Sequence, residues 1–256
     1  MDLFKLTFTT IMTRKLWVAM LLLAVLLPIV LPYFTPWEAT KKLLEPARAQ
    51  AAWSCCWLIG ILWSLSQAAR FGDSNSRTGM GAYLISQGVG PLRQIFNIWL
   101  AVMLFIIPLA ICAVVICLTM AMPGDSEEAS MWVATNFQFA ALFLLTIAPL
   151  ALLAIGLGSR FGALIAYIVP GGLCFYGLYG VSYLGMTIKM QDNPLLEWIY
   201  VLSPQYHLAD LTPRLIFKMG HLPALDFGIY TAYFALIGLV FGAISILLFR
   251  TKPLEN

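Results

Sequence analysis

The residues best suited to chemistry in this sequence lie in one segment before its last apolar stretch. His207 and Asp210 are three positions apart, which places them on one face of a helix, and His221 follows in the same segment. Imidazole and carboxylate groups in such an arrangement are ligands that zinc accepts. Anchoring at a membrane interface explains the segment better than a metal site, because it is rich in interfacial aromatic residues. These residues are Trp198, Tyr200 and Tyr206.

Groups for covalent or acid–base catalysis are scarce. Ser182 in the Gly180–Ser182 tripeptide is the type of residue that acts as a nucleophile, but an intramembrane serine hydrolase needs a titratable base within hydrogen-bond reach. The sequence has two histidines, and both lie outside the apolar segments described below. We therefore expect that this chain is not an enzyme and that Ser182 serves packing.

The composition is that of an integral membrane protein. Apolar residues make up 61% of the 256 residues and charged residues only 11%, far from the values of a soluble domain. Between clusters of charge, six windows contain no Asp, Glu, Lys, Arg or His, and each is long enough for a helix to cross a bilayer. The windows are 16–37, 49–69, 94–124, 129–159, 161–188 and 227–249.

These windows predict an all-α membrane protein that forms a single domain over residues 1–256. Helices are required because unpaired backbone groups are not tolerated in lipid and the two-residue alternation of a β-barrel is absent. Only Arg160 separates the fourth and fifth windows, so we expect the chain to turn back within 156–162. The predicted spans are 16–36, 50–69, 95–120, 134–157, 162–187 and 227–249.

The distribution of charge predicts the orientation in the membrane. Six spans place both termini on one side, and that side carries nine basic and three acidic residues, a net charge of +6. The other side carries six basic and nine acidic residues, a net charge of −3. The positive-inside rule therefore predicts cytoplasmic termini and a multi-pass protein of the plasma membrane, in a bacterium the inner membrane. The overall charge of +3 reflects this topology, and no nucleic-acid partner is expected.

Residues 1–14 have the pattern of an amphipathic helix in the cytoplasmic interface. Phe4, Phe8, Ile11 and Met12 recur at helical spacing, with cationic and hydroxyl side chains around the rest of the helix. An unstructured tail is the alternative. A helix here would have to bend sharply where the first span begins.

The segment between the second and third spans has an unusual pattern for a connection. Met80, Tyr83 and Leu84 recur at i, i+3 and i+4 after Ser76, which predicts a helix of about ten residues with an N-cap serine. Three helix-breaking residues then end it and restart the chain in the third span: Gly88, Gly90 and Pro91. The apolar face either binds a protein partner or lies on the membrane surface or on neighbouring helices.

Two further features concern the second half of the chain. Asn193-Pro194 and Ser203-Pro204 are helix-start signals, which predict short helices over 195–202 and 205–218. The fifth span carries a stripe of small residues that includes Gly177 and Gly180. Such a stripe is typical of close helix contacts, within the chain or with a second subunit, and a pathway-lining role is the alternative.

The order of these parts resembles the permease subunit of type-two ABC transporters. The resemblance covers the whole chain and rests on its layout and on two segments, RTGMGAYLISQGVGPLRQIFNIWLAVML from Arg77 and EWIYVLSPQYHLADLTPRLIF from Glu197. In that family an elbow helix precedes six spans, a coupling helix joins spans two and three, and a re-entrant hairpin precedes span six. The competing classes are a membrane assembly factor without a transport role and an intramembrane enzyme.

The resemblance implies a function and partners. The chain would be an exporter permease that pairs with a second permease copy or a homologue in the lipid bilayer and is driven by a separate ABC ATPase. The coupling helix would contact the ATPase through Arg77, Met80, Tyr83, Leu84, Gly88, Gly90 and Pro91. Tyr206, His207 and Asp210 would lie at an extracytoplasmic gate, and Gly177 and Gly180 at the dimer contact or pathway.

No cofactor is expected in this chain. The sequence lacks a GxxxxGK[ST] loop, whose backbone N–H groups and lysine hold nucleotide phosphates. ATP and Mg²⁺ would therefore bind to the partner ATPase.

Overall fold

The computed structural model describes residues 3–34, 41–190 and 193–251, and these residues form helices without a β-strand. The predicted all-α class is thereby confirmed. The α-helices are α1 (Leu3–Thr13), α2 (Leu16–Val30), α3 (Lys41–Ile59), α4 (Leu65–Arg77), α5 (Met80–Ser86), α6 (Pro91–Thr119), α7 (Ser126–Phe161), α8 (Ala163–Phe175), α9 (Val181–Met190), α10 (Pro194–Leu202), α11 (Thr212–Ile216) and α12 (Ala224–Leu248).

The long helices have the length and composition of a multi-pass membrane protein. Five continuous helices within the described ranges could cross a bilayer, and the bent α1–α2 pair would make a sixth. Two of the five spans each consist of two α-helices joined by a π-helical turn. Helix α3 continues into α4 through the turn at Gly60–Ser64, and α8 continues into α9 through the turn at Tyr176–Gly180. The five helices are Leu44–Arg77, Pro91–Thr119, Ser126–Phe161, Ala163–Met190 and Ala224–Leu248.

The second span is longer than the sequence predicts. Residues 50–69 were expected from the charge-free window, but the helix extends through Arg70 to Arg77. Charge-free windows mark only the part of a helix that lies in hydrocarbon, and the charged turns continue beyond it. Residues 1–2 of the predicted first helix and 35–36 of the predicted first span lie outside the described residues.

The chain bends by 62° between α1 and α2. The break is at Lys15, whose backbone adopts the left-handed conformation with φ 52°. One side of α1 is held against α6, where the rings of Phe8 and Phe105 lie 5.4 Å apart. The sharp bend that the sequence predicts at this point is thus present.

Helix α7 lies at the centre of the fold and contacts α4, α6, α8 and α12. Helix α7 ends before Gly162, whose φ of 88° interrupts the helix, and α8 begins at the next residue. The turn predicted within 156–162 therefore lies at residue 162. Near the other end of α7, the buried Trp53 ring stacks on Phe139 at 4.0 Å and its Nε1 donates to the Asn136 side-chain oxygen at 2.9 Å. Aromatic packing and a satisfied polar pair therefore fix α3 against α7.

The segment between α9 and α12 forms the expected first helix but not the second. Asn193 caps α10 by accepting a hydrogen bond from the Leu195 N–H at 3.0 Å. The helix predicted over 205–218 is wrong: a 3₁₀ turn at Tyr206–Ala209 and the short α11 replace it. A continuous helix is broken before Pro213, which has no N–H and would clash with the carbonyl of the preceding turn.

Candidate functional site

The candidate site is the connection between α4 and α6, at the end of the helix bundle that carries α1 and Arg160. Helix α5 within it begins after Gly79, which has φ 71°, so the predicted N-cap role of Ser76 is wrong. Ser76 instead lies inside α4, because α4 continues about two turns beyond residue 69, where the second charge-free window ends. Helix α5 therefore has seven residues and not about ten.

The end of α5 is a Schellman motif. Gly88 adopts φ 80°, the Val89 N–H donates to the Leu84 carbonyl at 2.9 Å, and the Gly88 N–H donates to the Ile85 carbonyl at 2.9 Å. Extended Gly90 then leads to Pro91 at the first turn of α6. The predicted stop and restart at Gly88, Gly90 and Pro91 is confirmed.

A buried amide network holds α5 against both neighbouring helices. Gln94 has no exposed surface, and its Oε1 accepts from the Asn75 Nδ2 of α4 at 2.8 Å. The Gln94 Nε2 donates to the carbonyls of Gly81 in α5 at 3.1 Å and of Val89 at 2.9 Å. One side chain of α6 thus bonds to α4, to α5 and to the loop, so the four segments are expected to move as one unit.

The apolar residues of α5 point in different directions. Leu84 is 3% exposed and belongs to the core, and Met80 is half-buried against it. Contact with neighbouring helices, one of the two alternatives for this face, therefore applies to Met80 and Leu84, since the apolar stripe of a short helix packs first against its own protein. Tyr83 is 49% exposed and Ile85 43% exposed, on either side of Leu84, and these two side chains remain available to a partner.

The end of α4, the α7–α8 turn and the end of α12 lie beside this connection. The Arg77 guanidinium lies 3.4 Å from the Asp73 carboxylate one turn earlier in α4, and most of the Arg77 side chain is exposed. Beside Arg77, a polar cleft of about 220 Å³ extends to the α7–α8 turn. The end of α12 is fixed to α7 because the Arg250 N–H donates to the Ser159 hydroxyl at 3.0 Å.

The predicted gate residues lie at the opposite end of the bundle, and their environments differ. Tyr206 is buried and stacks on Phe234 with ring centres 6.1 Å apart, so its predicted role as an interfacial anchor is wrong. Asp210 accepts from the Thr212 N–H at 3.0 Å and caps α11. His207 is half-buried, and desolvation lowers its pKa, although a backbone hydrogen bond with Gly177 opposes this effect.

Gly177 makes room for that segment within the same chain. A Cβ at Gly177 would lie 2.7 Å from the Pro204 carbonyl oxygen and would overlap the Tyr206 ring. A Cβ at Gly180 would lie 2.6 Å from the Tyr176 ring, one turn earlier in the same helix. Gly177 therefore gives space to the Pro204–Tyr206 segment of this chain, and Gly180 gives space to the Tyr176 ring of its own helix.

The three groups of the alternative metal site do not converge. Across residues 3–34, 41–190 and 193–251, no three His, Cys, Asp or Glu side chains are arranged to hold an ion. The Asp210 carboxylate accepts the hydrogen bond that caps α11. The nearby Glu128 carboxylate pairs with the Lys218 ammonium group and is not a free ligand either. The cysteines of these ranges are free thiols.

Asn75 and Gln94 are the residues that sequence reasoning missed. Gln94 is the first residue of a charge-free window and lies beside an apolar run, whereas Asn75 lies within the polar stretch Asp73–Arg77. Burying an amide costs free energy unless its hydrogen bonds are satisfied. The position of Gln94 beside the turn predicted at Gly88–Pro91 was therefore the available signal that it bonds to that turn. Two of the three partners of Gln94, which are Gly81 and Asn75, lie 13 and 19 residues away along the chain and cannot be read from spacing.

No protein-family model, curated protein or solved structure matches this sequence.

Proposed function

We propose that this chain is the permease subunit of an ABC exporter and that α5 is its coupling helix. In this proposal the bent α1–α2 pair is the elbow and first span, and the segment from α10 to α11 is the re-entrant hairpin. A separate ATPase binds ATP and Mg²⁺ and contacts α5 from the cytoplasm. A second permease subunit completes the pathway across the bilayer.

The observation that carries the proposal is the fixation of α5 by Gln94. A short connecting helix that only crosses the surface has no need of a buried, fully bonded amide joining it to two long helices. A helix that transmits force needs such bonds, because movement of α5 must displace α4 and α6 and must not be absorbed by bending of the connecting loop. The exposed Tyr83 and Ile85 supply the contact at which such a force would be applied.

Tyr83→Ala is expected to weaken binding of the ATPase by about tenfold or more. An aromatic anchor at the centre of an interface often contributes ~2 kcal/mol or more, and truncation leaves an unfilled pocket in the partner. Arg77→Ala is the control, because an exposed charge already paired with Asp73 contributes at most about 1 kcal/mol. Co-purification of each variant with a co-expressed ABC ATPase that the wild-type chain retains measures both effects. Wild-type recovery of the ATPase with Tyr83→Ala would disprove the coupling role of α5.

Labelling of single cysteines tests the orientation that the proposal requires. Ser86→Cys in α5 is expected to react with an impermeant maleimide only after the membrane is opened, and Ser126→Cys at the start of α7 to react in intact cells. Both serines are exposed, and the wild-type protein gives the background from its own cysteines, which lie within helices. The reverse pattern would place α5 outside the cell, where no ATPase can reach it.

A further inference from the structure

Three adjoining cavities follow the inner side of the bent α1–α2 pair. The first, of about 340 Å³, lies between α1, α4 and the start of α5 and is lined by Arg14, Arg70 and several hydroxyl side chains. The second, of about 240 Å³, shares both arginines with the first and adds Trp17 and Trp63. The third, of about 210 Å³, shares both tryptophans with the second and is otherwise apolar, with Phe105 in its wall. The lining therefore changes from cationic in the first cavity to hydrocarbon-like in the third.

The two arginines of this path have no carboxylate partner in the described part of the chain, where the ion pairs are Arg77 with Asp73 and Lys218 with Glu128. Arg14 precedes the first apolar window, and Arg70 follows the second, so both guanidinium groups lie where the hydrocarbon segments of their helices end. Asn75 lines the same first cavity and is 5% exposed, and its Oδ1, an acceptor without a partner among the described residues, can take a hydrogen bond from a headgroup hydroxyl but not from a phosphate oxygen. Two guanidinium groups that line the same cavities are complementary to a phosphate diester of the bilayer surface.

We propose that this path is a binding site for one anionic phospholipid. The phosphate group binds between Arg14 and Arg70, and an acyl chain lies along Trp17, Trp63 and Phe105 towards the bilayer centre. The lipid fills the angle of the α1–α2 bend, where α1, α4 and α6 meet. A soluble phosphate is also an anion but makes no contact with the apolar cavity, and a zwitterionic lipid has no net negative charge to interact with Arg14 and Arg70.

The test uses the purified full-length chain in a neutral detergent. Phosphatidylglycerol is expected to raise the melting temperature at concentrations at which phosphatidylcholine with the same acyl chains has little effect. Arg14→Gln combined with Arg70→Gln is expected to weaken the response to phosphatidylglycerol by about tenfold or more, since both cations that attract the anionic headgroup are removed. Native mass spectrometry of the same samples counts the retained lipid and should show one per chain.

Two variants and one ligand make the test decisive. Arg93→Gln removes an arginine from the same end of the bundle but outside the cavities and should leave the response unchanged. Arg14→Lys with Arg70→Lys keeps the charge and should retain most of the response, which separates recognition from folding defects. An equal effect of phosphatidylcholine, or an equal loss with Arg93→Gln, would overturn the proposal. If inorganic phosphate reproduces the effect, the site takes a soluble anion and the lipid assignment is wrong.

Discussion

Gly158→Ala is expected to separate α4 from α7 and to destabilise the fold by ~3 kcal/mol. A Cβ at Gly158 would lie 2.5 Å from the Ala69 carbonyl oxygen and 3.1 Å from the Asp73 nitrogen. Both atoms belong to the backbone of α4, so no side chain can rotate to relieve the clash. Gly72 is the reciprocal position, where a Cβ would overlap the Ile155 carbonyl of α7. The two helices are therefore in backbone contact from both sides.

The measurement is the melting temperature of the purified protein in detergent, which should fall by roughly 5–10 °C with Gly158→Ala. Gly172→Ala is the matched control, because Gly172 also lies inside a helix but a Cβ there would meet nothing within 4 Å. Alanine favours a helix over glycine by about 1 kcal/mol, so the control should be neutral or more stable than wild type. Equal melting temperatures for the two variants would show that α4 and α7 are not in backbone contact.

Gln94→Leu is expected to release α5 from α4 and α6. The substitution keeps the size of the side chain but leaves the Asn75 amide and the carbonyls of Gly81 and Val89 without their partner. An unsatisfied buried polar group costs about 1–3 kcal/mol, so local opening of α5 should become favoured by ~3 kcal/mol, or about 100-fold. Hydrogen exchange of residues 79–90 measures this opening directly. If α5 is the coupling helix, substrate-stimulated ATP hydrolysis in the complex should be lost as well.

Gln87→Leu is the control for this prediction. It makes the same chemical change at the exposed end of α5, outside the buried network. Exchange within α5 should stay close to wild type in this variant, and hydrolysis should remain stimulated. Slow exchange in Gln94→Leu would show that α5 is held by its apolar contacts alone. Fast exchange with normal stimulation would separate the rigidity of α5 from transport and count against the proposed function.

The long helices and several of their breaks were predicted correctly from local features of the sequence, although the N-cap role of Ser76 and the helix over 205–218 were not. The charge-free windows located the long helices, because hydrocarbon length and the cost of buried charge fix where spans can lie. Glycine and proline located the breaks at Gly88, Gly90, Pro91 and Gly162, since each restricts the backbone of its own residue. The sharp bend between α1 and α2 followed from the abrupt change in amphipathic pattern.

The candidate site was predicted in position but not in detail. The sequence predicted a helix between the second and third spans and assigned Met80, Tyr83 and Leu84 to one apolar face. The structure leaves Tyr83 exposed and buries Leu84, because the direction of an apolar stripe depends on which neighbouring helix it reaches first. Tyr206 was misplaced for the same reason, since its pocket exists only where Gly177 of a distant helix leaves space for the ring.

The sequence by itself determined that the chain is helical, that most of it suits a bilayer, and where its helices are interrupted, because these properties follow from hydropathy and backbone restrictions along the chain. Only the tertiary structure decided which polar groups are paired and which helices touch. Gln94 contacts α4 and α5 at once, and Gly158 meets Ala69, through distances that no sequence period encodes. Burial and hydrogen bonding are properties of neighbours in space, so the side chains that hold α5 became visible only after the helices were packed.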